Sequence, residues 1–467
     1  MSPADAFESV STGSADAAAT APSAGSARGE RERQGSSRQN TPRLALLFVN
    51  QHYWPDVAST GQHLTDLAEH LAAAGHAVEV LCGRGHYLAG NLPAPAAECH
   101  NGVLIRRLQT TTFGRGRHLG RIADYASFYV QVLWRLLSGR RRDLVIFLTT
   151  PPILPFVGWV ARLVRRQRYA IWSMDLHPDA EIAEGMLSPR SPLGRFLRWA
   201  DQVAYRQADT IVDLGPYMKA RIVAKGVDPR RTVTIPVWNR AGEVEPVAAA
   251  ENPLRRELGL DGKFVVMYSG NAGIVHEFGP VLDAMRILAD DPRVFFLFVG
   301  GGPRRRQVEA FATANRVGNF RYVDYFPRQQ LRWSLAVADA HLISLRREFV
   351  GMAVPGKLYG IMAAGRPAVF VGPVASDSGA TVVETGCGVV IDPADADAAI
   401  RLAELLRGWS RDPAEPARLG SRGRAAFLQD FEQAKNTARF AAEIARAAVA
   451  SQPSRGVTAS QPEPSGR

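Results

Sequence analysis

Three places in this sequence put chemically able side chains where the chain has to turn. In Val354 to Tyr359, VPGKLY, the Pro-Gly pair can bring the backbone close to a ligand and Lys357 offers a point charge. Leu358 to Ala364 can form a short helix, with Leu358 and Tyr359 in the first turn, whose N-terminus faces the same place. A cation beside a helix N-terminus suits phosphate. The same residues also fit a buried helix-to-strand connection with an exposed lysine. The second place is the polar cluster Ser173, Asp175, His177, Pro178 and Asp179, which follows the apolar run Tyr169 to Trp172. In an open α/β sheet the carboxyl ends of the strands border the ligand crevice, so a carboxylate and an imidazole there are candidates for chemistry. Alternatively Asp175 caps the next helix and His177 is merely nearby. The third is Gly270, Asn271 and Gly273 after the run FVVMYS, where glycines let backbone N–H groups approach an anion at a helix start. The spacing is weaker than G-x-G-x-x-G, which is not convincingly present after either first strand, so a nicotinamide dehydrogenase is disfavoured. Further on, Glu384 stands two residues before Gly386-Cys387-Gly388 and can accept hydrogen bonds from ribose hydroxyls, or else simply ends a helix.

Placing these groups requires strands buried on both faces. From Arg43 the run LALLFVN is continuously apolar, as parallel-sheet strands are. A helix from about Gly61 carries Leu64, Leu67, Ala68, Leu71 and Ala72 at helical spacing and ends near Gly75, before the strand AVEVLC. Strand, glycine-bearing loop, helix and strand make a βαβ unit. The alternation continues to TVTIPV, yields to the polar stretch AGEVEPVAAAENP, and starts again at FVVMYSGNAG. The fold class is therefore α/β, with two doubly wound, Rossmann-like domains facing across a cleft. We place them at 43–240 and 241–428, followed by a helix over 429–450 that packs across the inter-domain region. The stretches 1–42 and 451–467, low in lasting apolar period, read as disordered tails.

The formal net charge is +11, and much of it lies in the first half of the folded region, in Arg115, Arg117, Arg121 and the run Arg140-Arg141-Arg142. A basic face can meet anionic lipid, a phosphate-bearing substrate or nucleic acid, or can be a solvated surface. Three cysteines, far apart and without metal-ligand spacing, fit a reducing cytoplasm. The N-terminus shows no secretory signal pattern. Leu144 to Val164 has about the ~20 residues a membrane span needs, but its prolines and Arg162 argue for a buried strand, a turn and a helix.

These residues, with HYWPDVASTGQHLTDLAEHL, MDLHPDAEIAEGML, YRQADTIVDLGPYM, VVMYSGNAGIVHEF, VPGKLYGIMAAGRP and ETGCG in that order, resemble family 4 glycosyltransferases of the GT-B fold. The likeness is to the bacterial branch that builds O-antigen, capsule and exopolysaccharide, including N-acetylfucosaminyl transferases. It implies a C-terminal domain that binds a nucleotide-sugar, by preference a UDP-sugar, and an N-terminal domain that binds the acceptor. It implies that Gly61 sits in a loop facing the donor phosphates and that Asn271, Gly273 and His276 lie beside the diphosphate. Lys357 would help neutralise that diphosphate, Glu384 would hold the ribose, and the backbone near Tyr325 and Phe326 would contact the base. Many members carry two glutamates eight residues apart, but here Met352 and Gly360 stand at those positions. Lys357 then matters more as a source of positive charge.

The implied chemistry is transfer with retention of configuration, without a required metal or cofactor, the nucleotide-sugar being a co-substrate. Departure of a diphosphate calls mainly for charge stabilisation, because the transition state resembles an oxocarbenium ion. Asp175 and His177 would orient the acceptor. The implied partners are a polyprenyl-diphosphate-linked saccharide and an anionic membrane surface on the cytoplasmic side, and no nucleic acid. A sugar-nucleotide epimerase or a non-catalytic scaffold with the same fold are the other readings.

Overall fold

Continuous apolar runs become strands buried on both faces, and the chain winds helices over them. The computed structural model describes residues 43–56, 58–84, 95–111, 113 and 118–449. The tails expected to be disordered, 1–42 and 451–467, lie outside the described residues, as does residue 450.

In the N-terminal domain the elements run β1 (Ala45–Val49), α1 (Ser59–Ala73), β2 (Ala77–Gly83), β3 (Ala97–His100), β4 (Val103–Leu108), α2 (His118–Ser138) and β5 (Leu144–Leu148). They continue with α3 (Pro155–Arg165), β6 (Tyr169–Trp172), α4 (Asp179–Ala183), α5 (Pro192–Gln207), β7 (Thr210–Asp213), α6 (Pro216–Ala224) and β8 (Thr232–Thr234). The eight strands form one sheet in the order β3-β4-β2-β1-β5-β6-β7-β8. All pairings are parallel except the edge pair β3–β4. Every residue of β5, β6 and β7 is buried, whereas β3 at the edge is not. The Leu144–Val164 stretch is indeed strand, turn and helix, and no described helix is long and apolar enough to cross a membrane.

The second domain contains α7 (Pro253–Glu257), β9 (Phe264–Ser269), α8 (Gly279–Ile287), β10 (Val294–Val299), α9 (Arg305–Ala314), β11 (Phe320–Val323), α10 (Leu331–Ala336) and β12 (Ala340–Ser344). After these come α11 (Lys357–Ala363), β13 (Ala368–Val371), α12 (Asp377–Thr385), β14 (Gly388–Ile391), α13 (Ala398–Arg411), α14 (Ala414–Ala426) and α15 (Gln433–Val449). Its six strands are ordered β11-β10-β9-β12-β13-β14 and all are parallel. The order reverses between β9 and β12, so the crevice of this sheet opens above the ends of those two strands.

The two sheets are tied by their loops. Leu176 N–H donates to the carbonyl of Met352 at 2.9 Å, and Asp175 and Ala353 form an antiparallel bridge. On the same side, a carboxylate oxygen of Asp377, at the start of α12, accepts the N–H of Tyr217 in α6 at 2.9 Å. The last helix, α15, returns to the N-terminal domain and packs on α1 and β5. There Phe440 meets the fully buried Trp172 ring edge-on, with centroids 4.7 Å apart, and Arg168 donates to the carbonyl of Ala448 at 2.8 Å. Truncating a ring so placed costs about 3–5 kcal/mol.

Candidate functional site

A cavity of about 670 Å³ lies between the two sheets, at the carboxyl ends of their strands. From the N-terminal domain it is lined by Ser59, Thr60 and His63 of α1 and by Asp175, and from the second domain by Gly270, Asn271, His276 and Lys357. Among the described lining residues Lys357 is the only lysine or arginine and Asp175 the only carboxylate, and they come from opposite domains.

Lys357 opens α11 directly behind Pro355-Gly356. Its Nζ is buried without a hydrogen-bond partner among the described residues and sits 3.9 Å from the centroid of the Tyr268 ring. Burial disfavours the ammonium form and pushes its pKa down to about 7. Gly270, at φ +130°, ends β9 just beneath it, and a Cβ there would stand 3.3 Å from Nζ. The three histidines around the cavity stay neutral. Burial, and then the Lys357 charge, bring His276 down to about 3. Its Nδ1 lies 2.7 Å from the carbonyl oxygen of Ser344, which can only accept, so Nδ1 carries the proton. Burial likewise lowers His63 and His341 to about 4. Positive charge in the cavity therefore comes from Lys357 and from the N-terminus of α1. That helix has no side-chain cap, and Ser59 and Thr60 in its first turn face the space.

Asp175 follows β6, with its N–H donating to Thr149 Oγ1 at 3.1 Å. Burial raises the pKa of its carboxyl, His177 opposing and Glu181 adding to the effect. His177 is turned away from the cavity, its Nδ1 2.7 Å from Glu181 Oε1. Burial works against the imidazolium, but the Glu181 bond and the neighbouring carboxylates outweigh it and raise its pKa. Among the described residues no group of three or more His, Cys, Asp or Glu side chains is gathered as a metal site would require.

Several sequence expectations need correction. Gly61 lies inside α1, not in a loop, and faces the backbone of His52 and Tyr53, where a Cβ would come within 3.2 Å. The loop after β9 does not offer a set of open amides. Gly270 N–H bonds to Val299, Ala272 N–H to Gly301 and Gly273 N–H to Asn271, and α8 begins only at Gly279. Leu358 and Tyr359 are buried in the core, the Tyr359 ring 4.7 Å from that of Phe431, so Gly360 and Ile361 line the cavity in their place. Glu384 is exposed in the last turn of α12, whose opposite end, at Asp377, is the one that meets the other domain. Tyr325 and Phe326 do not line the cavity. The Tyr325 ring rests against Gly300 and Gly301 beside Gly270, and Phe326 packs on the core. Arg121 stands in α2 close enough to Glu181 to act on its charge, while Arg115 and Arg117 lie outside the described residues.

Sequence reasoning missed Ser59, Thr60 and His63, although Ser-Thr immediately before an apolar helical period is itself a helix-start signal. It also missed Gly300 and Gly302, whose positive φ angles let the loop after β10 pack against that after β9.

Two doubly wound domains with a cleft at the ends of their strands define a GT-B fold. The sucrose-phosphate synthase of Thermosynechococcus elongatus shares it, with a TM-score of 0.70 at 19% identity, covering 88% of this chain and 100% of that one. So does Anabaena HepE, solved in complex with UDP and glucose, with a TM-score of 0.63 at 17% identity over 86% of this chain and 99% of that one. Residues 60–238 match the glycosyl transferase 4-like domain. The probable glycosyltransferase WbjE of Pseudomonas aeruginosa is 27% identical over 70% of this chain and 79% of its own length. The putative colanic acid biosynthesis glycosyl transferase WcaI of Escherichia coli is 26% identical over 78% of this chain and 93% of its own length. The chain thus has a GT-B fold, matches the glycosyl transferase 4-like domain over residues 60–238 and is similar to these glycosyltransferases, which supports a glycosyltransferase.

Proposed function

We propose that this protein transfers a sugar from a UDP-sugar to a polyprenyl-diphosphate-linked saccharide, with retention of configuration, in surface polysaccharide biosynthesis on the cytoplasmic face of an anionic membrane. The observation that carries the proposal is the buried Lys357 ammonium, without a carboxylate partner among the described residues, at the start of a helix on the inter-domain cavity. A cation so placed gains most from a multiply charged anion, and a diphosphate leaving group is one. UDP in HepE and the colanic acid role in the name of WcaI support the donor and the pathway.

In this reading the bond between the anomeric carbon and the β-phosphate oxygen breaks as the acceptor oxygen bonds to the same face of that carbon. The acceptor proton passes to the leaving phosphate. Lys357 and the N-terminus of α1 stabilise the departing charge, and Asp175, across the cavity, holds the acceptor hydroxyl. His177, bonded to Glu181, is a positioning residue behind Asp175.

Calorimetry with UDP, GDP and UDP-sugars on the wild type and Lys357→Ala tests this. Selective UDP binding that the variant loses supports the donor site. Binding that the variant retains removes Lys357 from it, and a wild type that binds no nucleotide is a scaffold.

A further inference from the structure

The outer face of the N-terminal domain is apolar where a surface facing water is normally polar. α2 turns Phe128, Val132 and Leu136 inward. Its opposite row of Ile122, Val130 and Trp134 is equally apolar and lies open, Trp134 by 69%. Large apolar side chains on both faces of a helix are ordinarily covered on both. α3 repeats the pattern, burying Val157 and Ala161 while Leu163 and Val164 are 62% and 64% exposed. On α5, Leu193, Phe196 and Trp199 are exposed as well.

These helices form one surface, α3 packing against both α2 and α5. Across the α3–α5 seam, Phe156 lies 5.7 Å from Trp199 and 6.2 Å from Phe196, and Trp159 lies 5.7 Å from Trp199. Charged groups on the three helices are mostly of one sign, with seven arginines against two aspartates. Of those aspartates, Asp201 is buried and bonded to Lys225 at 2.6 Å, and Asp124 accepts the N–H of Phe113 at 3.0 Å. Arg195 and Arg198 are exposed beside Leu193, Phe196 and Trp199.

We propose that the α2–α3–α5 face docks on a lipid bilayer with anionic headgroups. Trp134, Phe196 and Trp199 would sit at headgroup depth and the arginines on lipid phosphates. The charge argues for a bilayer over a second copy of the chain, since two such faces would oppose arginine to arginine with no free carboxylate between. The surface also ends in the right place. Arg121, in the first turns of α2, is close enough to Glu181 to act on its charge, and Glu181 holds His177 next to Asp175 on the cavity. The inference builds on the lipid-linked acceptor reading and supplies the surface that would hold the cavity mouth at the membrane.

The test uses the full chain with phosphatidylcholine vesicles, with and without phosphatidylglycerol. We expect sedimentation with the anionic vesicles, weakened but not abolished by salt, and quenching of tryptophan emission by brominated acyl chains. Val130→Gln, Trp134→Gln and Leu163→Gln together should lower the partition coefficient about tenfold or more. Arg195→Gln with Arg198→Gln should remove the preference for anionic lipid. UDP binding, measured on the same samples, should match wild type in both variants and shows that the fold and cavity are intact. A wild type that ignores both vesicle types overturns the proposal, as does a triple variant that still binds like wild type. A wild-type dimer that the triple variant renders monomeric, without vesicle binding, assigns the face to a second copy. Vesicle binding without UDP binding sinks the donor reading and leaves this one standing.

Discussion

The ammonium of Lys357 lies 3.9 Å from the centroid of the Tyr268 ring and has no hydrogen-bond partner among the described residues. A cation over an aromatic face gains about 0.5–2 kcal/mol, which does not replace the hydration of an ammonium. Burial therefore dominates, and the group titrates near 7 instead of at its ordinary 10.5. A diphosphate beside it would reverse the balance by favouring the charged form. Binding of UDP at pH 8, where the ligand is already fully ionised, should take up a proton, approaching one per site. Calorimetry in buffers of different ionisation enthalpy reads this directly. At pH 5.5, where Lys357 is already charged, its uptake should vanish. A buffer-independent enthalpy at pH 8 would place the diphosphate away from Lys357.

The same burial has a cost for stability that depends on pH. The folded pKa of about 7 lies below the ordinary value of 10.5, so between those values the unfolded chain binds more protons. Stability from this group therefore rises with pH across that window, and the full penalty is present below about 7. Lys357→Met removes the charge and keeps the length of the side chain. The variant should be more stable than wild type at pH 6, by on the order of a few kcal/mol, with the gap narrowing toward pH 9. Denaturant titrations at both pH values check this. A constant difference, or a less stable variant, would mean that the ammonium is not desolvated.

Gly270 fixes how close the backbone comes to that ammonium. Its φ of +130° is strained for any residue with a Cβ, and the added methyl would stand 3.3 Å from Nζ. Gly270→Ala should lower stability by about 1–3 kcal/mol and weaken UDP binding by a larger factor than Gly318→Ala, where a Cβ meets open space. Equal binding by the two variants would separate Gly270 from the site.

Much of this was readable before any coordinates. Ala368–Val371 and Tyr169–Trp172 are strands as expected, because short, fully apolar runs between turn residues have little alternative in a parallel sheet. Lys357 reached the cavity because Pro-Gly before a helix forces a close backbone approach. Glu384 did not, since a local pattern says that a helix ends there but not which end of it faces the cleft. Leu358 and Tyr359 failed for a related reason. A helix buried on nearly all sides has no polar face to mark its exposed edge, and here the ligand side is marked by Gly360 instead. The outer rows of α2 and α3 were misleading in the other direction. Val130, Trp134 and Val164 are of residue types that cores favour, yet among the described residues nothing covers them.

Asp175 offers the clearest separation of binding from chemistry. It is the only carboxylate among the described residues lining the cavity, it enters from the domain opposite Lys357, and its backbone is fixed by Thr149 and by the bridge to Ala353. Asp175→Asn keeps the shape and one acceptor oxygen but loses the charge. If the carboxylate holds the acceptor hydroxyl, turnover should fall by about 10²-fold while the affinity for UDP stays within a factor of about two. His177→Gln, acting only through the position of Asp175, should fall by less and should recover part of its activity at higher acceptor concentration. Single-turnover rates with saturating UDP-sugar, set beside UDP affinities from calorimetry, distinguish the cases. Loss of UDP affinity in Asp175→Asn would instead place the carboxylate on the donor or in domain closure, since its backbone already pairs with the loop that carries Lys357.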